Sequence, residues 1–240
     1  MIRLIGIAGS HPTLAVELML RHKRLRYRRI DLPNGFHRGL LPLLGYRSRT
    51  VPVARIDSRR VAGSVPIARA LDAAAPEPPL LPADPERRSA VEAAEAWGDV
   101  TLQEDVRALA RWGVTHEPSA MATFAEGARM GLPPAAVRAS LPLLRPAVTR
   151  FLHVPDEDAR RSYGALMRDL DEVDRLLGEG VIGGAAPNVA DFQVATSVRL
   201  ALCFDDLRER IDARPAGAFA RRLCPEYAGR IRAVLPADWD

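Results

Sequence analysis

Five prolines fall within the eleven residues from Ala75 to Pro85, in the run Ala-Pro-Glu-Pro-Pro-Leu-Leu-Pro-Ala-Asp-Pro. Proline lacks a backbone N–H and its ring clashes with the preceding helical turn, so neither a helix nor a central strand takes such a run into its interior. The 240-residue chain is therefore expected to divide into a domain over 1–75, a linker over 76–85 and a domain over 86–240. Both pieces are long enough to bury a core.

The patterns on the two sides differ. Ile2 to Ala8 is short, branched and apolar, as a buried strand is, and Gly9-Ser10 then turns the chain ahead of Pro12 and a mostly apolar helix to about His22. Strands are expected over 26–31 and 51–56 and near 60–62, with room for no more than a short helix between the first two, and a helix follows Ser64. The order β-α-β, irregular crossover, β-β-α implies a small mixed sheet covered by helices. Beyond Pro85 the strand signals stop. Tyr163, Leu166, Met167, Leu170, Val173, Leu176 and Leu177 recur at spacings of three and four, with Asp156 placed to cap that helix and Gly178 to end it. Further helices are expected over 86–112, 118–130, 134–151, 188–203, 205–212 and 216–233.

Several classes of function are set aside by composition. No apolar run approaches the roughly 20 residues of a membrane helix, and residues 1–12 lack the basic stretch, long apolar core and cleavage pattern of a secretory signal. A cytoplasmic protein without membrane association is expected. Cys203 and Cys224 stand 21 apart and form no metal-type pair, so two reduced, buried thiols and no metal are expected, although a single bridge fits the sequence too. Residues 1–80 carry 14 basic and 5 acidic residues, +9, while the remainder carries 20 and 25, −5. Of the 34 basic residues only Lys23 is not arginine. The dense run from Arg21 to Arg29 has no nucleic-acid motif around it and reads as a solvated surface, so no nucleic-acid partner is expected.

A small α/β domain, a proline-rich linker and an all-helical domain together resemble the glutathione S-transferases, and local motifs bring the theta class and its delta relatives nearest. Ser10-His11-Pro12-Thr13-Leu14-Ala15-Val16 is similar to their Ser-x-Pro-Cys-Arg-x-Val loop. Asp31-Leu32 with Gly35-Phe36-His37 resembles Asp-Leu-x-x-Gly-x-His, Val51-Pro52 falls where the family has Val-Pro with a cis proline, and Gly63-Ser64-Val65-Pro66-Ile67 resembles Glu-Ser-x-Ala-Ile. In the second domain Pro187-Asn188-Val189-Ala190-Asp191 is similar to the family's Pro-Ser/Thr-x-Ala-Asp helix start.

The resemblance implies a thioredoxin-like α/β N-terminal domain followed by an all-α domain, in a homodimer that adds glutathione, or a related small thiol, to a hydrophobic electrophile, as detoxification enzymes do. Ser10 would be catalytic, stabilising the thiolate at the head of a helix, with Thr13 in reserve; the same serine would serve equally as a helix cap. Val51 and Pro52 would pair with the peptide backbone, Ser64 would hold the γ-glutamyl carboxylate at a helix N-terminus, and His37, with Arg38 assisting, would meet the glycyl carboxylate. An ordinary trans proline and a solvated loop histidine are the plainer readings of Pro52 and His37.

Two departures stand out. Gly63 replaces the usual acid, which removes a charge partner for the γ-glutamyl amino group, and Thr13 and Leu14 replace Cys and Arg. Without a cysteine in the first loop, disulfide reduction there is not expected. A non-catalytic binding module on this fold, and a thiol-dependent isomerase or dehalogenase, remain alternatives. For the electrophile, Trp97, Trp112, Met121, Phe124 and Met130 are the apolar candidates, each also suited to a core.

Overall fold

β1 (Ile2–Gly6) is apolar and buried at every position except Arg3, so it must lie inside a sheet. The computed structural model, which describes residues 1–126, 128–129, 139, 142–143, 146 and 149–239, gives it neighbours on both sides. β2 (Tyr27–Asp31) runs parallel to it, with Ile2 opposite Tyr27 and Gly6 opposite Asp31. β3 (Val53–Ile56) pairs antiparallel on its other edge, Ile5 against Val53, and β4 (Arg59–Ala62) closes a hairpin with β3. The order is β2-β1-β3-β4. A parallel pair needs a crossover, and α1 (His11–His22) supplies it. The expected third strand starts two residues late, after the Val51–Pro52 peptide, which is cis. α2 (His37–Leu43) is the short helix of the irregular stretch, and α3 (Ser64–Ala74) completes the α/β part.

Residues 75–84 contain neither helix nor strand. The only lysine of the chain holds them in place. Lys23 follows α1 with its side chain fully buried, and its Nζ donates to the carbonyls of Ala75 (2.5 Å) and Pro78 (2.8 Å) and pairs with Asp72 at 2.7 Å. A buried ammonium has three protons to place, and this one has three acceptors.

The helical part begins with α4 (Pro85–Trp97), capped by Asp84, whose carboxylate accepts from the Arg87 N–H. The single helix expected over 86–112 widens into a π-type turn at Gly98–Leu102 and resumes as α5 (Gln103–His116). α6 (Ala120–Ala125) is shorter than the 118–130 expected, and the helix expected over 134–151 lies largely outside the described residues. α7 (Asp156–Gly178) starts on Asp156 rather than being capped by it, because that carboxylate accepts from the Trp112 indole N–H at 2.8 Å. α8 (Val189–Ala201) has the expected start: Asn188 accepts from the N–H groups of Ala190 and Asp191, and Asp191 accepts from the N–H of Asn188. α9 (Asp205–Asp212) is as read, whereas α10 (Pro215–Leu223) ends ten residues early, ahead of Pro225. The residue before a proline disfavours helix.

α8 is buried along its whole length and packs against α1 on one side and α4, α5 and α10 on the other. Thr196 and Ser197 donate to carbonyls one turn back, while Gln193 and Arg199 reach out of the helix, to Gln103 and to the Cys224 carbonyl. A continuous apolar cluster therefore runs from Leu4 and Val16 through Val194 and Val198 to Leu166 and Phe204. Among the described residues no helix is long and apolar enough to cross a membrane. Cys203 and Cys224 are free and buried.

Candidate functional site

Ser10 ends the turn after β1 and is the N-cap of α1, accepting from the Thr13 N–H at 3.3 Å. The Thr13 hydroxyl also donates to Ser10 Oγ, at 2.8 Å. Both contacts use the serine as acceptor, so its own proton stays uncommitted at the N-terminus of a helix. Thr13 is not a reserve donor: it is fully buried and its proton already points at Ser10.

The loop holding Ser10 is clamped from the far end of the chain. Gly9 has φ +73, and a Cβ there would lie 2.7 Å from the Phe124 ring; Gly229, with φ +127, would place one against the same ring. Two glycines thus leave room for one phenyl ring between two stretches of backbone. The Tyr227 hydroxyl donates to the Gly9 carbonyl at 2.7 Å.

On one side of this loop lies a cavity of about 260 Å³ between the α/β and helical parts. Ser10, His37 and Val51 line it together, as do Met121 and Phe124. Neither the N–H nor the carbonyl of Val51 has a hydrogen-bond partner among the described residues. His37 is not a solvated loop residue; it opens α2, is buried, and meets the Phe151 ring edge-on at 6.2 Å. Burial, with Arg38 and Arg111 near, holds its imidazole below the usual histidine range, and its Nδ1 has no partner among the described residues.

Ser64 is not brought to this cavity. The cap position of α3 falls to Gly63, and Ser64 is buried with its hydroxyl donating to Asp99 Oδ1 at 3.0 Å. Asp99 sits on the π-type turn and also accepts from Gln193 Nε2 at 3.0 Å. An acid therefore stands beside Ser64 after all, reached through space from the helical part rather than from position 63. Pro52 is buried, and its carbonyl accepts from the Gly63 N–H at 2.9 Å, joining the cis turn to the head of α3.

Trp97 and Trp112 do not line the cavity. Trp97 packs on the core, and Trp112 stacks on His116 with centroids 4.0 Å apart. Met130 lies outside the described residues. Sequence reasoning missed Phe151, His11, Arg107 and Arg111, which also line it. A signal for the last two was present, since residues four apart on a helix share a face and Arg107 and Arg111 share theirs with Ala110 and Val114.

On the other side of the loop, a cavity of about 490 Å³ has Glu17, Arg21, Arg29, Arg129 and Arg199 in its lining. Arg199 donates to the Cys224 carbonyl, while Arg21, Arg29 and Arg129 pair with the buried Glu17. Burial alone would raise this carboxyl, but hydrogen bonds from Tyr27 and Arg29 and the charges of Arg29 and Arg129 hold it below its ordinary value. The two cysteines offer no nucleophile: burial pushes Cys203 up to about 12 and Cys224 up to about 11. Among the described residues no group of three or more His, Cys, Asp or Glu is placed to hold a metal ion.

The structure is similar to those of several glutathione S-transferases. One from Rhodospirillum rubrum F11 matches over 100% of this chain and 98% of its own, with a TM-score of 0.63 and 19% identity. A diazinon-metabolizing glutathione S-transferase of the silkworm Bombyx mori matches over 94% and 93%, with a TM-score of 0.64 and 14% identity. A GST-like protein from Pseudomonas syringae matches over 98% of this chain and 70% of its own, at 0.61 and 18%. No protein-family model and no curated protein matches the sequence. The fold is that of the glutathione S-transferases, a thioredoxin-like α/β part with a four-stranded mixed sheet followed by a helical domain.

Proposed function

We propose that the chain is a thiol transferase, which binds glutathione or a closely related small thiol and transfers it to an apolar electrophile in the cavity between its α/β and helical parts. The observation that carries this reading is the state of Ser10, a hydroxyl that accepts two hydrogen bonds and keeps its own proton free beside the unpaired backbone of Val51. A free thiol has a pKa of about 8.5. A hydroxyl donor and the positive end of α1 both favour its anion, so a bound thiol ionises nearer neutral pH. Val51 orients the thiol peptide through its N–H and carbonyl, and His37 and Arg38 take its terminal carboxylate. Met121, Phe124 and Phe151 give the acceptor an apolar wall that keeps water from the sulfur.

Asp99 takes over the charge lost at Gly63: it stands beside Ser64 at the head of α3, outside the lining of the cavity, where the pair would meet the γ-glutamyl end of the peptide. The theta-like and delta-like motifs, a homodimer and a cytoplasmic location belong to the same proposal. Gly63 and the engaged Ser64 also favour a second reading, a non-catalytic binding protein on this fold.

Calorimetry with glutathione and other small thiols, followed by titration of the bound thiol in wild type and Ser10→Ala, separates these. The enzyme reading expects thiol binding and a higher thiol pKa in the variant. Turnover unchanged by Ser10→Ala would remove Ser10 from the mechanism; absence of any thiol binding would favour the second reading. Haloacid and double-bond substrates in the same assay test dehalogenase and isomerase chemistry.

A further inference from the structure

The cavity beside Ser10 holds more positive charge than a thiol peptide's carboxylate accounts for. Arg38, Arg107 and Arg111 line it together with His11 and His37, and among the described residues no Asp or Glu does. The Arg38 guanidinium lies 5.1 Å from the centre of the Phe151 ring. Arg107 pairs with Glu104, yet its Nε is buried without a partner among the described residues. The Arg111 guanidinium has neither a hydrogen bond nor an ion pair among them. Burial and the nearness of Arg107 and Arg38 hold its guanidinium below its ordinary value, against an opposing pull from Glu104.

The histidine side agrees. His11 is 3% exposed and its Nε2 has no partner among the described residues. Burial, with Arg107 and Arg111 adding to it, lowers its pKa to about 3, so the imidazole is neutral at working pH. A partly buried cation without a carboxylate is costly, and an orphaned ring nitrogen adds to the cost. Both costs fall when an anion enters. A guanidinium is suited to the flat, two-pronged geometry of a carboxylate or sulfonate, and Phe124, Phe151 and Met121 supply an apolar wall for the rest of the ligand.

We infer that the cavity's second ligand is an aromatic or similarly apolar acceptor bearing a carboxylate or sulfonate, held by Arg111 with Arg107 in support. Its role as acceptor rests on the thiol-transfer reading; the preference for an anion does not.

The test is calorimetry on the full chain with naphthalenesulfonate, its uncharged counterpart naphthalenemethanol, and glutathione. Wild type should bind the sulfonate more tightly than the alcohol, and Arg111→Met should weaken the sulfonate roughly tenfold while leaving alcohol and glutathione within about twofold. Arg111→Lys should recover part of the loss. Equal or tighter wild-type binding of the alcohol overturns the inference without need of any variant. A glutathione loss in Arg111→Met as large as the sulfonate loss also overturns it, by assigning the guanidinium to the thiol. Selective sulfonate binding in a protein that binds no thiol would support the anion site and overturn the transferase reading instead.

Discussion

The Tyr227 hydroxyl and the Gly9 carbonyl, 218 positions apart in sequence, meet at 2.7 Å and fix the loop that presents Ser10. Tyr227→Phe keeps the ring and removes the bond. It should cost about 1 kcal/mol of stability, the usual worth of one such contact, and lower thiol-transfer turnover by loosening the loop. Thermal unfolding and a turnover assay check this; unchanged turnover would mean that Phe124 alone holds the loop.

Thr13 sets the direction of the Ser10 proton by donating to Ser10 Oγ. Thr13→Val preserves shape and removes that donor. The bound thiol's pKa should rise, by less than in Ser10→Ala, because chained hydrogen bonds strengthen one another. A pH titration of the bound thiol in the two variants gives the order.

Lys23 satisfies two linker carbonyls and Asp72 at once. Lys23→Met leaves a partly buried carboxylate and two carbonyls without that donor, a loss of about 2–4 kcal/mol in denaturant unfolding. Lys23→Met with Asp72→Leu should recover part of it, since removing both partners avoids the stranded charge.

Asp169 on α7 faces Asp105 on α5, and burial, followed by the Asp105 charge, pushes it up to about 7 from an ordinary value of 3.8. The folded protein therefore holds a proton here that the unfolded chain releases. Its contribution is complete below about pH 4 and is lost as pH rises to about 7. Asp169→Asn removes Asp169's share of that dependence, while Asp105, itself raised chiefly by burial, keeps its own. The variant should gain about 1–2 kcal/mol on wild type between pH 5 and pH 8, a figure reduced for solvent screening. Parallel unfolding curves at the two values would overturn the assignment.

Residues whose role is local could be read directly. The Ser10 cap and the alternation of strand and helix through Ala74 depend on neighbours within a few positions, so spacing revealed them, and the equally local Asn188–Asp191 box was legible through its resemblance to a known helix start. The proline run ended the α/β part for an equally local reason. What escaped was set by tertiary approach. Gly63 looked like the loss of an acid, and only folding returns one, from Asp99 on a turn 35 positions beyond Ser64. Trp112 looked available to a ligand, but Asp156 and His116 occupy its polar and flat sides. Arg107 and Arg111 carried a helical spacing, yet nothing in the sequence told their face from a solvated one.

Burial of Lys23 also fixes the chemistry of the surface. Every other basic residue is arginine, so no side-chain amine is within reach of acylating, glycating or imine-forming reagents. The positive charges it presents are planar, permanently protonated and unreactive as nucleophiles. A carbonyl or activated ester brought to the cavity meets no lysine amine there, so a thiolate bound as proposed would be the strongest nucleophile in reach.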